Sequence, residues 1–567
     1  MKHDHDPRHI TYFASTDSRG DKKPFGIRAE DRTRHMYIIG KTGMGKSTML
    51  ENMAIQDIQN GDGMAFIDPH GSTAGKLLEY IPEDRIKDVV YFAPFDMEYP
   101  LGFNVMEDVG YDKRHLVVAG LMSAFQRIWV DAWSSRMEYI LQNTLLALLE
   151  YPDTTLIDVN RMLINPEFRN KVTDAVSDPI VKRFWKEEFA GYTDRYTQEA
   201  TPAIQNKIGQ FTSNPLVRNI IGQPDSTFDL RKIMDERKIL IVNLSKGRMG
   251  EQNADLLGSI LTTKIYLAAM SRAEETASDL AKLPPFYLYV DEFQSVVNDS
   301  FTNILSEARK YKLCLTIAHQ YIEQIEDNIR AAVFGNVGTT ISFRVGPFDA
   351  DTLKTVFEPS FFAEDLVNLG FAQIYLTLMI DGVGSQPFSA HTLPPVDDPP
   401  FSFQERIIRH SQETYGKPRA EVEKLVQKTD DDNKAPKPNG GTSGNKPQYS
   451  NNKKQNNSKH TNNKPQNSNN KNSQPVKTVQ TKQHTALASA LKDLQKAQPA
   501  PPQANTQTPA DILRAKMQKK AQIVQEKAKI QDTLKEEAPK EEEKPKADIS
   551  QNTEVSDITL RKILQDE

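Results

Sequence analysis

Short apolar runs alternate with helical patterns at both ends of the first 400 residues, and a long helical stretch separates them. Arg34–Gly40 (RHMYIIG) reads as a strand, Lys46–Gln59 as a helix, and Gly63–Asp68 and Asp88–Phe92 as further strands. Such alternation predicts an α/β fold with a mainly parallel sheet. Between Lys113 and Gln223 the apolar positions fall at helical spacing, as in Met137, Ile140, Leu141, Leu145 and Leu148. That stretch predicts an all-α insertion of roughly four to six helices. From Lys238 to Pro395 the α/β texture returns. Strands are predicted at Ile239–Leu244, Phe286–Asp291, Leu313–Ala318, Thr339–Phe343 and Gln373–Ile380, and helices at Gln252–Arg272 and Phe301–Tyr311. The two α/β stretches suit one sheet. The predicted divisions are 1–112 and 238–427 for its two parts, 113–237 for the insertion, and 428–567 for a tail.

Composition changes the picture only in that tail. The segment from about Lys428 is rich in Asn, Lys, Gln and Ser, with Tyr449 as its only aromatic before the amphipathic islands begin. It cannot bury enough apolar area to offset its ordering entropy, so it is predicted to be disordered. Three amphipathic islands interrupt it: Leu487, Leu491 and Leu494; Ala510–Leu534; and Ile558, Leu560, Ile563 and Leu564. The net charge of −5 hides an asymmetry, because 433–500 carries +11 and 1–432 carries −15. An acidic body with a basic tail is not a uniformly basic nucleic-acid binder. One cysteine, Cys314, excludes a disulfide framework and a zinc ribbon, and is predicted to be a small buried hydrophobe. No run of 18 apolar residues predicts a membrane span, and the start lacks a secretory signal. The N-terminal His3, Asp4, His5 and His9 read as a frayed end rather than a metal site.

The candidate chemistry is phosphate chemistry. Gly40-Lys41-Thr42-Gly43-Met44-Gly45-Lys46-Ser47 fits G-x-x-x-x-G-K-[ST] between a predicted strand and a predicted helix. The glycines let backbone N–H groups curl around a phosphate without a Cβ clash. Lys46 reaches the β- and γ-phosphates, the Ser47 hydroxyl is a Mg²⁺ ligand, and Thr48 continues the loop into the helix, whose N-terminus attracts anions. Phe286–Asp291 is an apolar strand ending in an acid pair, Asp291 and Glu292. Asp291 suits Mg²⁺, and Glu292 suits polarisation of an attacking water, which marks hydrolysis. Gln320 ends a neighbouring strand and is a candidate contact to the γ-phosphate or its water. Arg309 and Arg344 are candidate arginine fingers acting on a neighbouring subunit's nucleotide.

These segments resemble the HerA–FtsK superfamily of ring-forming DNA translocases, and within it the coupling-protein ATPases of type IV secretion and conjugative DNA transfer (TraG/TraD-like). The residues that carry the likeness are His35–Thr48, Phe66–Ser72, Tyr99–Glu107, Trp133–Glu150, Tyr287–Gln294, Ser306–Tyr321 and Phe343–Leu353. The resemblance implies a RecA-like P-loop ATPase domain with an inserted all-α cap. It also implies ATP and Mg²⁺ bound between the subunits of a homo-hexameric ring, with DNA moved through its centre. It implies a sensor role for Gln320, a trans-finger role for Arg309 in preference to Arg344, and a role for Asp68 and His70 that is either Mg²⁺ shell or packing. Membrane-anchored coupling proteins begin with transmembrane helices, and no such helix is predicted here. The expected protein is therefore cytoplasmic. It either docks on a membrane-embedded partner at the inner face, through its tail, or works as a soluble HerA-like translocase. A motor for protein secretion or pilus assembly would carry the same core motifs, and a non-catalytic nucleotide switch is disfavoured by the intact acid pair.

Overall fold

The computed structural model describes residues 6–17, 22–107, 109–129 and 133–431. Of the predicted tail, 428–431 close the helix Arg419–Asp431 instead of being disordered, while 432–567, with the three islands, lie outside the described residues, as do His3, Asp4 and His5.

An eleven-stranded sheet runs in the order β2-β1-β13-β10-β9-β3-β8-β7-β4-β6-β5. The parallel part comprises β3 (Met36–Ile39), β4 (Gly63–Asp68), β5 (Val89–Phe92), β6 (Ile239–Asn243), β7 (Phe286–Val290), β8 (Leu313–His319) and β9 (Thr339–Ser342). These strands form because their residues are apolar on both faces, the signature of a sheet covered on both sides. Met36 and Ile38 face one hydrophobic layer, and Tyr37 and Ile39 face the other. The first layer is closed by the helix Lys46–Gln59, which buries Met49, Leu50, Met53, Ala54 and Ile58. The second is continuous with the helical segments, through Leu121, Phe125, Leu141 and Leu145.

The rest of the sheet is antiparallel, and of its strands only β10 falls in a predicted run. β1 (Ile10–Thr16) and β2 (Pro24–Arg28) form a ribbon, and β1 pairs with β13 (Phe388–Thr392), which pairs with β10 (Gln373–Thr377). The strand predicted over Gln373–Ile380 breaks at Leu378. Met379–Ile380 (β11) instead forms a small hairpin with Val383–Gly384 (β12). Its turn is Asp381-Gly382, both at positive φ (51° and 78°), the conformation an Asp-Gly pair favours in a two-residue hairpin. The Asp31 carboxylate caps this turn, accepting from the N–H of Asp381 at 3.1 Å and of Gly382 at 2.8 Å.

Between β5 and β6 the chain is helical, as expected, but divided more finely. Seven α-helices run from Tyr111–Ile128 to Pro215–Ile221 among the described residues, with a π turn at Phe184–Glu188. Asn165, Asp178 and Asn214 each accept hydrogen bonds from first-turn amides of a helix with Pro at its start. Each Asx-Pro pair ends one helical register and opens another. The helix predicted over Phe301–Tyr311 spans Ser300–Glu307 and tightens into a 3₁₀ turn. Cys314 is buried, and burial pushes its thiol up to about 12.

Candidate active site

The carboxyl ends of the parallel strands share one edge, where ligands of such sheets bind. β3 delivers Gly40–Thr48, β7 delivers Asp291 and Glu292, and β8 delivers Gln320 to that edge. Main-chain bonds fix the loop. Gly40 N–H donates to the His319 carbonyl at 3.3 Å and Lys41 N–H to the Arg344 carbonyl at 2.8 Å, while the Met44 carbonyl accepts from Ala372 N–H at 3.3 Å. A Cβ on Gly40 would lie 2.5 Å from Phe343 Cβ, so only glycine fits. Gly45 takes φ 111° as the N-cap of Lys46–Gln59, a backbone state that glycine adopts without a Cβ penalty.

Lys46 is buried, and its Nζ donates to the carbonyls of Gly40 (2.6 Å) and Lys41 (3.3 Å). Burial pushes its pKa down, while Glu292 and Asp291 act against that shift. Ser47 Oγ donates to Asp291 Oδ2 at 3.0 Å, so the structure brings the loop hydroxyl and the strand-end carboxylate together. Burial, and then the neighbouring Glu292 carboxylate, push Asp291 up to about 6. Such a carboxylate gains from a divalent cation. Two hard oxygens suit Mg²⁺, which takes few protein ligands and completes its shell with phosphate oxygens and water. Among the described residues no group of three or more His, Cys, Asp or Glu makes an all-protein cage.

Glu292 sits at φ 49° and is buried. Its Oε1 accepts from Gln320 Nε2 at 2.6 Å, and its Oε2 accepts from Gln294 Nε2. The amide oxygen of Gln320 in turn accepts from Thr42 Oγ1 at 2.8 Å. Gln294 was not singled out from the sequence, although it stands two residues after the acid pair. An amide so placed is the signal that was available.

Other candidates fall elsewhere. Arg309 is exposed on the turn that precedes β8, about 20 Å of strand away from the loop, so the chain does not bring it to its own site. Arg344 is half-buried just after β9, beside its own loop. Asp68 is buried and accepts from the N–H of His70 (2.8 Å) and of Ala74 (2.9 Å), which ties the end of β4 to the first turn of Ser72–Glu79. Asp68 is also near enough to Asp291 for its charge to add to the upward push on that carboxyl. His319 is fully buried, and burial followed by the Lys46 charge pushes it down to about 3.

Residues 23–356 match the family model of the type IV secretion-system coupling protein DNA-binding domain. No curated protein sequence matches the chain. Among solved structures, the bacterial conjugative coupling protein TrwBdeltaN70, in a trigonal form in complex with sulphate, is similar over 70% of this chain and 97% of that chain, at 15% identity and TM-score 0.50. TrwB in complex with ADP and Mg²⁺ is 15% identical over 69% of this chain and 96% of that chain, with TM-score 0.49. VirB4 of Thermoanaerobacter pseudethanolicus is 13% identical over 70% and 99%, with TM-score 0.47. At these identities the likeness is one of fold. The family match spans more than half of the sequence, and the protein therefore belongs to the type IV secretion-system coupling protein DNA-binding domain family.

Proposed function

We propose that this chain is an ATP-driven motor that moves DNA toward a type IV secretion apparatus. The observation that carries the reading is the Ser47–Asp291 contact at 3.0 Å, with Lys46 and Glu292 on either side of it. Loop N–H groups and Lys46 hold the phosphates. Ser47 and Asp291 hold Mg²⁺, which neutralises phosphate charge when bound. Glu292 takes the proton from the attacking water, and Gln320 orients that water.

In this reading the protein works as a homo-hexameric ring. Arg309 reaches the nucleotide of the neighbouring protomer, Arg344 acts beside its own loop, and the 113–237 insertion caps the ring. DNA is gripped mainly through its phosphates, so binding weakens steeply with salt. No helix among the described residues is long and apolar enough to cross a membrane. We place the motor in the cytoplasm at the inner face of the membrane, with the segment from 428 onward docking a membrane-embedded partner.

The test is ATP hydrolysis with and without single- and double-stranded DNA, beside native mass measurement. DNA should raise the rate and hexamers should form. Lys46→Ala should abolish turnover. Glu292→Gln should keep ATP binding and lower kcat by about 100-fold or more. A wild-type rate that DNA leaves unchanged would turn the reading toward a protein-moving motor.

A further inference from the structure

The hydrolytic glutamate is held at both of its oxygens. Gln320 Nε2 occupies Oε1 at 2.6 Å and Gln294 Nε2 occupies Oε2. A carboxylate whose two oxygens each accept an amide N–H has lone pairs engaged that an attacking water would otherwise meet. The holding amides are themselves tethered in two directions. Gln320 is tied by Thr42 to the phosphate loop at 2.8 Å. The main-chain carbonyl of Gln294 accepts from the guanidinium of Arg127, in the last turn of the helix Tyr111–Ile128. That helix is the first of the inserted block and packs along Glu251–Met270.

The tether has the features of an element with two settings. Gln294 Oε1 is buried with no hydrogen-bond partner among the described residues, and such an atom favours any rearrangement that satisfies it. A half-enclosed cavity of about 260 Å³ lies beside Arg127, lined also by Asn298, Asp299, Gln324 and Glu326. It gives the guanidinium acidic alternatives to the Gln294 carbonyl. Ser295, next in the turn, is held from a different side by Lys246 Nζ at 2.9 Å. The turn is thus clamped between the inserted helices and the strand β6 loop.

We infer that Arg127 and Gln294 are positioning residues that hold Glu292 off its water, and that displacement of the inserted helical block releases it. The inference rests on the hydrolytic reading above and adds its control. Nucleotide acts on the glutamate through Thr42 and Gln320, and polymer acts through Arg127 and Gln294. Hydrolysis then requires both.

The experiment compares kcat and KM for ATP, with and without DNA, in full-length wild type, Arg127→Ala, Arg127→Lys and Gln294→Ala, with a thermal melt of each. Gln294→Ala should raise the DNA-independent kcat at least threefold at unchanged KM, and the DNA stimulation ratio should fall toward one. Arg127→Ala should show the same loss of stimulation, and Arg127→Lys, which keeps a donor, should recover part of it. A DNA-stimulated wild type with all variants within twofold of its ratio overturns the coupling and leaves the motor reading intact. A Gln294→Ala enzyme slower than wild type without DNA also overturns it, because the amide would then be assisting the glutamate. A wild type that hydrolyses no ATP overturns the motor reading and the coupling together.

Discussion

At the scale of single residues, burial decides how this chain answers to pH. His35 is fully buried, and burial pushes it down to about 4. Its Nδ1 accepts from Leu315 N–H at 3.1 Å, and Arg309 is the charge that faces it. His319 is pushed down to about 3. In the unfolded chain both imidazoles take a proton near pH 6.5. The folded state binds those protons only far below that value, so stability is full above pH 6.5 and is lost as pH falls toward 4. Each histidine steepens that loss by up to about 1.4 kcal/mol per pH unit. His35→Asn keeps an acceptor and tolerates the positive φ of 63° found there. Urea unfolding from pH 7.5 to 4.5 should show a flatter acid limb for this variant, and an unchanged limb would refute the assignment.

At the scale of elements, the hairpin β11–β12 depends on one carboxylate. Asp31→Ala removes the acceptor of two turn amides and should cost about 1–2 kcal/mol in chemical unfolding. The same hairpin shows what was legible in the sequence and what was not. β4 and the helix Lys46–Gln59 match their predicted limits, because a doubly buried strand and a phosphate-loop helix are written locally. β1, β2 and β13 escaped notice because runs such as PFGIR and FSAHT are short and half-polar, and long-range antiparallel pairing holds them in place. The Asp-Gly turn was readable but lay inside an apolar run. The Asx-Pro pairs of the helical block were readable too, as restarts. The loop and the acid pair were legible because such residue types recur at fixed spacing, whereas Gln320 was singled out only as a polar residue at a strand end, which the structure places on Glu292. Gln294 and Arg127 were not, because their meaning lies in a contact across 167 residues.

At the scale of the molecule, a buried charge pair ties the short helix Ala29–Arg32, which follows the β1–β2 ribbon, to the helix Lys46–Gln59 and to β7. Arg32 grips Asp57 through two bonds of 2.7 and 2.9 Å, with side chains 2% and 0% exposed. Tyr289 of β7 joins both, and Tyr287 lies under the guanidinium at 3.6 Å. Asp57→Ala would leave that guanidinium buried and unpaired, at a cost of about 3–5 kcal/mol, whereas Arg32→Met with Asp57→Leu should recover most of it. Thermal and urea unfolding of the two variants check the contrast. The pair also sets a limit on how far the protein can be trimmed. Shortening the chain to begin at the first parallel strand would look harmless, since every candidate phosphate-binding residue survives. It would nevertheless strand an orphan anion beneath the strand that carries Asp291, so the shortened domain should be crippled from the rear rather than at its mouth.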